Sequence, residues 1–317
     1  MSDEIGRLPG DPLSLVLEQS LNGLQLGVLL FLMSAGLTLV FGIMNLVNLA
    51  HGSLYMVGAY LCAWGYALTQ SFLFGLIAGI GGALLVGLII ELGIFRRIYS
   101  GDHLDHVLAT FGLTLVINDI ARFIFGPAAL FAKVPDFLGG QTSIFGLFAY
   151  PTYRLAIIIV GLLVAAGLSV LLQRTRLGML IRAAASNRVM AGALGVNVTA
   201  LYTFVFVLGA ALAGLSGLMA GPILSVVPGM GDSVLILAFV VIVIGGLGSV
   251  QGAFIAAIMV GVIDTLGRSF LKPIFASFLD RSAADNAAPA VASMLIYILM
   301  AAVLFLRPQG LFPPKSR

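Results

Sequence analysis

From Glu18 to Glu91 no aspartate, glutamate, lysine or arginine interrupts the chain. Further uncharged runs cover Leu155–Leu172, Val189–Gly231, Ser233–Ile263 and Asn286–Leu306. Stretches such as Leu155-Ala156-Ile157-Ile158-Ile159-Val160 are apolar throughout, whereas a membrane β-strand alternates polar and apolar positions over ~10 residues. The runs therefore read as helices. A hydrocarbon layer about 30 Å thick takes ~20 apolar residues per helix, so the runs hold about eight or nine spans. Their expected positions are 20–44, 51–69, 72–94, 106–125, 153–172, 199–221, 233–247, 251–270 and 288–306. The expected fold class is all-α, a polytopic membrane helical bundle forming one transmembrane domain over residues 1–317. Helices are expected to break near residues 42–55 and 243–252.

The first break, Gly42 to Tyr55, sets Asn45, Asn48, His51, Gly52 and Ser53 inside an apolar run. Such groups are expensive at membrane depth unless something satisfies them. Irregular backbone there is tolerated only against protein or a watery cavity. The segment is either a broken helix lining a translocation path or a polar turn at the cytoplasmic membrane surface. The second break, Gly245-Gly246-Leu247-Gly248-Ser249-Val250-Gln251-Gly252, splits another apolar run. Two interrupted segments, one in each half, point to a transporter's central path. A plain tight turn is the alternative. Gly245, Gly246, Gly248 and Ser249 join the candidate path residues.

Composition narrows the class. Of 317 residues 60% are hydrophobic and 9% charged, and mean hydropathy is +1.13, which excludes a soluble domain and a disordered chain. The single cysteine, Cys62, excludes a disulfide scaffold. Basic residues set the orientation. Arg96 and Arg97, then Arg174, Arg176, Arg182 and Arg188, then Arg307, Lys315 and Arg317 mark cytoplasmic segments. The loops around Lys133 and Asp136, around Asp232, and from Lys272 to Asp285 fall outside. Asp3, Glu4, Asp11 and Glu18 against Arg7 speak against a secretory signal and fit an external N-terminus. Small residues recur every fourth position at Gly75, Gly79, Ala83 and Gly87, and at Gly209, Ala213, Gly217 and Gly221. They serve either internal packing or a subunit interface.

Chemistry is sparse. No GxxxxGK[ST], G-x-S-x-G, HExxH or paired CxxC occurs, so no catalytic residues, no cofactor and no enzyme activity are expected. His103 and His106, beside Asp102 and Asp105, read as a wet polar loop rather than a metal site. Asp119 and Arg122, three apart, share a helix face and are placed to pair. Asp264 precedes Arg268 by four residues, and Glu91 lies close to Arg96 and Arg97. These charges read as structural.

The loop over residues 173–198 is basic, acid-free and helix-prone through Arg182-Ala183-Ala184-Ala185. By itself it is either a membrane-surface helix or a docking element for a cytoplasmic partner. Combined with Asn22-Gly23, Ala35-Gly36, Asn48-Leu49-Ala50-His51-Gly52, Leu194-Gly195-Val196-Asn197, Ala213-Gly214, the second break and Arg307-Pro308-Gln309-Gly310-Leu311-Phe312, it carries a resemblance. The chain resembles the smaller permease of high-affinity branched-chain amino acid ABC importers; urea and short-amide importer permeases are similar.

That resemblance implies a non-catalytic, multi-pass subunit of the bacterial inner membrane with a cytoplasmic C-terminus. It implies a second homologous permease, two cytoplasmic ATPases and a periplasmic solute-binding protein as partners, and no nucleic acid. The ATPases would dock on Arg176, Gly178, Arg182, Ala183, Asn187 and Gly195. One departure stands out: family members often carry an acid after the Arg-Ala element, and Ala185, Ser186, Asn187 and Arg188 supply none. A stand-alone channel or secondary carrier is the rival, with Asp264 or Asp119 as its gradient-coupling group.

Overall fold

The computed structural model describes residues 12–99, 101–144 and 148–312. Asp3, Glu4, Arg7, Asp11, Lys315 and Arg317, whose charges entered the orientation, lie outside them, as does the His103 side chain. Helix α1, Pro12–Met44, is followed by α2, His51–Thr69, and α3, Phe72–Ile90. A π-helical turn, Glu91–Phe95, leads into the short α4, Arg96–Ile98, and then α5, His103–Phe125. A hairpin of β1, Gln141–Ile144, and β2, Phe148–Pro151, pairs Gln141 with Pro151 and Ile144 with Phe148. The remainder is helical: α6 Thr152–Arg174, α7 Arg176–Ser186, α8 Arg188–Ala193, α9 Val198–Ala220, α10 Met230–Gly245, α11 Val250–Ala276 and α12 Arg281–Leu306.

Helix α1 is the axis of the bundle. Its most apolar stretch is 83% buried, against 17% for α12, and α6, α9, α10 and α11 pack around it. Glycine allows the close approach. A Cβ on Gly23 would sit 2.7 Å from the Val262 Cα, and one on Gly27 2.8 Å from the Ala257 carbonyl oxygen. The four-residue small stripes are also spent inside. Gly75 faces the Cys62 carbonyl, Gly79 that of Gly58, Gly87 meets Ala210, and Gly217 meets Tyr55. Without a hydrophobic drive between helices in lipid, such backbone contact supplies the dispersion and packing that hold them.

Among the described residues seven helices are long and apolar enough to cross a membrane, fewer than the eight or nine expected. The shortfall lies in α2 and α10. Helix α2 carries His51, Ser53, Tyr55 and Tyr60, and is not among the seven. Helix α10 has 16 residues, about 24 Å at 1.5 Å per residue, short of a ~30 Å layer.

One end of the bundle collects the basic segments. Gly42 packs on Gly248, α7 packs on α1, α6 and α9, and the Arg96 guanidinium donates to Thr203 Oγ1 at 3.0 Å near the start of α9. The residues after α12 return here too, since the Leu311 and Phe312 N–H groups donate to the Ile244 and Gly245 carbonyls at 2.8 and 3.0 Å. The other end holds the hairpin, the Leu130–Val226 bridge, and the Tyr153 hydroxyl on the Met219 carbonyl at 2.8 Å.

Candidate functional site

The first break is a re-entrant strand of backbone. Helix α1 ends at Met44, and Asn45 takes a positive φ of 52°, which turns the chain back. His51 then opens α2 with its Nε2 3.2 Å from the Met33 carbonyl oxygen. Met33 lies about 16 Å short of the α1 end at 1.5 Å per residue. The six residues 45–50 therefore climb back into the bundle, and α2 starts deep within it. Asn45 is exposed, while Asn48, His51, Gly52 and Ser53 are buried. Asn48 Oδ1 and Nδ2, Ser53 Oγ and the neighbouring α1 hydroxyl Thr38 Oγ1 are buried without a hydrogen-bond partner. Buried polar atoms in folded proteins nearly always have partners, so each of these calls for an explanation.

The second break is built differently. Gly246 and Gly248 hold φ of 102° and 83°, conformations that an L side chain rarely adopts. Ser249 caps α11, its Oγ accepting from the Gly252 N–H at 3.1 Å. Gly245 packs directly on Gly252, and the 307–312 tail covers the end of α10. The two breaks touch through Gly42 and Gly248. Gly52, however, lies against Gly231 at the opposite end of α10, about 22 Å from Gly246 along that helix at 1.5 Å per residue. The candidate path residues thus form two levels rather than one cluster.

The basic loop forms a helical hairpin. Thr175, Asn187 and Asn197 cap α7, α8 and α9 by accepting from the Gly178, Met190 and Ala200 N–H groups at 3.1, 2.9 and 3.0 Å. Gly178, Ile181 and Ala184 face the bundle. A Cβ on Gly178 would fall on the Leu171 and Leu172 carbonyl oxygens, so that position has no room for a side chain. Arg176, Arg182, Ala183 and Asn187 are exposed, and exposed Gly195 turns the chain into α9 with φ of 89°. Met179, Val189, Met190 and Leu194 are also exposed, Leu194 by 79%. An apolar patch with a basic rim, at the end where the other arginines collect, has the character of a docking surface.

The family described as "Branched-chain amino acid transport system / permease component" matches residues 19–304, which take in both breaks and the hairpin. The chain belongs to this family. It is 30% identical over 266 residues to the high-affinity branched-chain amino acid transport system permease protein BraD of Pseudomonas aeruginosa, covering 79% of this chain and 86% of that protein. It is 29% identical to the permease protein LivH of Salmonella typhimurium, covering 81% and 87%. A probable branched-chain amino acid transport permease protein LivH of Methanocaldococcus jannaschii is 28% identical, covering 89% and 88%. No solved structure matches the chain. Relatives that are transport permease subunits agree with the lack of catalytic motifs: the chain is a non-catalytic membrane component.

For this permease two of the three charge groupings read within the helices form ion pairs. Glu91 is fully buried in the π-helical turn, accepting from the Tyr99 hydroxyl at 2.9 Å and pairing with Arg96 at 3.4 Å. Burial first, then the Glu91 hydrogen bond, push the Tyr99 hydroxyl above its usual range, so it stays a donor. Asp264 receives the Arg268 Nε on both oxygens, at 2.9 and 3.0 Å. Asp119 and Arg122 are both exposed on α5, and no ion pair joins them. His106 bonds the Ile98 carbonyl through Nε2 at 2.7 Å, and no metal-binding cluster occurs among the described residues.

Sequence reasoning missed the start of α10. Gly229 enters it with φ of 82° and donates its N–H to Met56 Sδ at 3.3 Å, and Gly231 abuts Gly52. The available signal was the breaker cluster Val227-Pro228-Gly229-Met230-Gly231, two glycines and a proline before an apolar run. A Cβ on Gly231 would fall on the Gly52 carbonyl oxygen. Gly231→Ala is therefore expected to force the two helix starts apart at about 1–3 kcal/mol and lower the melting temperature. Gly81→Ala, where a Cβ meets nothing within 4 Å, is the control. Equal melting temperatures for the two variants would remove the close contact.

Proposed function

We propose that this chain is the permease subunit of an ATP-driven importer that carries branched-chain amino acids across the bacterial inner membrane. The observation that carries the reading is the α7–α8 hairpin, a rigidly capped, acid-free element presenting basic and apolar side chains together. Basic and apolar side chains together suit a membrane surface as well as a soluble partner, and membership of a transport-system permease family favours the partner. The names of the relatives, and the scarcity of fixed charge for a zwitterionic cargo to meet, support the same reading. Cytoplasmic ATPases would dock on Arg176, Arg182, Ala183 and Asn187, with Gly178 and Gly195 shaping the hairpin. A second, homologous permease would complete the path, and a solute-binding protein would deliver cargo from outside. In this reading the C-terminus is cytoplasmic, in keeping with the 307–312 segment packed at the hairpin's end of the bundle.

Force on the hairpin reaches the interior by a short route. Helix α7 packs on α1, α6 and α9, and α1 runs directly into the first break. In this reading Asn45, Asn48, His51, Gly52 and Ser53 supply polar groups to the path. Gly245, Gly246, Gly248 and Ser249 form its closely packed cytoplasmic neighbour. Purifying the tagged chain together with the products of its neighbouring genes tests the assignment. ATPase subunits are expected to co-purify, and proteoliposomes of the whole assembly to take up leucine only with ATP. Recovery of no ATPase, or uptake by this chain alone without ATP, would overturn the reading.

A further inference from the structure

Of the described carboxylates only Glu91 is completely buried. It opens the π-helical turn at the end of α3. Residues 91 and 96 would lie about 140° apart around an α-helix of 3.6 residues per turn. The π turn instead closes its hydrogen bond over five residues, the Arg96 N–H donating to the Glu91 carbonyl. That brings the two side chains together, with Arg96 Nε 3.4 Å from Glu91 Oε1. The Tyr99 hydroxyl donates to the same oxygen at 2.9 Å.

What the turn grips is α9. The Arg96 guanidinium also donates to Thr203 Oγ1 at 3.0 Å. The Tyr99 ring meets Tyr202 edge-on with centroids 5.4 Å apart, and the Phe95 ring meets Phe206 at 4.8 Å. Gly87 meets Ala210 further along the same two helices. Helix α9 continues directly from the α7–α8 hairpin, separated from α8 by residues 194–197 alone. Helix α3 packs along α2, which begins where the re-entrant segment ends.

We infer that Glu91 is a positioning residue for transport: it holds Arg96 across to Thr203, and this joint passes movement of the hairpin through α9 to α3 and on to α2. The inference rests on the importer reading. The route through α7 and α1 reaches Met44, and this one reaches His51, so both ends of the re-entrant segment are driven. Stability alone accounts poorly for the pair. A buried ion pair gains little over apolar side chains of the same size, and Glu91 Oε2 is buried without a partner among the described residues. The Phe95–Phe206 and Gly87–Ala210 contacts already hold the two helices. What Glu91 adds is direction, because the Arg96 side chain is 42% exposed and would otherwise turn to water.

The test measures leucine taken up per ATP hydrolysed by proteoliposomes of the complete transporter. Thr203→Val keeps the shape and removes the acceptor; Glu91→Gln keeps the size and releases Arg96. Each is expected to lower the ratio about threefold, and Arg96→Gln about tenfold, while the ATPases stay bound and hydrolysis continues. Glu91→Gln added to Arg96→Gln is expected to lower it no further, because Glu91 acts through Arg96. Arg97→Gln, an exposed neighbour with no hydrogen bond or ion pair to a described residue, is the control and should keep the unaltered ratio. If Arg96→Gln fails to assemble, Thr203→Val decides. An unchanged ratio in Thr203→Val and Glu91→Gln overturns the inference alone. So does a proportional loss of uptake and hydrolysis, which marks a purely structural role, or a further fall in the double variant. Absence of ATP-driven uptake from the unaltered assembly overturns the importer reading and the inference with it.

Discussion

Arg182→Glu combined with Ala183→Asp is expected to leave the permease folded in the membrane while abolishing ATP-driven uptake. Both side chains point away from the bundle, and the face of α7 that packs inward is Gly178, Ile181 and Ala184. Surface changes of this kind usually alter stability by less than about 0.5 kcal/mol, so the melting temperature is expected to hold. The electrostatic change is large, because the segment from Arg174 to Gly231 contains no acid to begin with. Two carboxylates would enter the hairpin and one of its three arginines, Arg176, Arg182 and Arg188, would be lost. At a docking centre such a change is expected to weaken ATPase binding by roughly 30-fold. ATPase recovered on the tagged permease and leucine uptake should fall together, and raised salt should not restore them if the apolar patch of Val189, Met190 and Leu194 is also displaced. Gly178→Ala is the complementary variant. Its Cβ would fall on the Leu171 and Leu172 carbonyl oxygens, so it should lower the melting temperature as well as uptake. Unchanged uptake in the double variant would take the hairpin out of the coupling role.

Helix positions were legible from hydropathy, and depth was not. The range 51–69 coincides with α2, and 199–221 differs from α9 by one residue at each end. Helix α12 begins at Arg281 rather than near 288, because Arg281 and Asp285 read as loop while Lys272 actually holds Asp285 across to α11 at 2.9 Å. Hydropathy measures the transfer of each residue into hydrocarbon and carries no information on where within a bundle a helix starts. That is set by tertiary contacts: Gly52 on Gly231, Gly36 on Gly209, and the His51 ring on the Met33 carbonyl. The same limit explains Asp119 and Arg122. Their spacing permits a pair on one helix, but whether it forms depends on what faces α5. At the candidate site the polar residues of the first break were legible as an interruption. Their separation from Gly245 and Gly246, by the length of α10, followed only from the way α2 re-enters beside Gly231.

Asn48→Leu separates the two explanations of the first break, because stability and transport are expected to move in opposite directions. The Asn48 side chain is fully buried and both its amide atoms lack partners, which costs about 1–3 kcal/mol for a buried unsatisfied group. Leucine has nearly the same shape and nothing to satisfy. If Asn48 were only part of a turn, the substitution would raise the melting temperature and leave uptake intact. A path residue behaves differently. Its open donor and acceptor serve water and a passing zwitterion, and apolar replacement closes the path to both. The expected result is therefore a higher melting temperature, ATPase subunits still bound, and leucine uptake reduced about tenfold or more, as for loss of hydrogen bonding from a buried polar site. Ser53→Ala, which removes an unpartnered hydroxyl near the start of α2, is expected to act in the same direction with a smaller effect. A stabilised variant that still transports at the normal rate would place Asn48 off the path, and the route would then have to run along the outer faces of the helices rather than through the re-entrant segment.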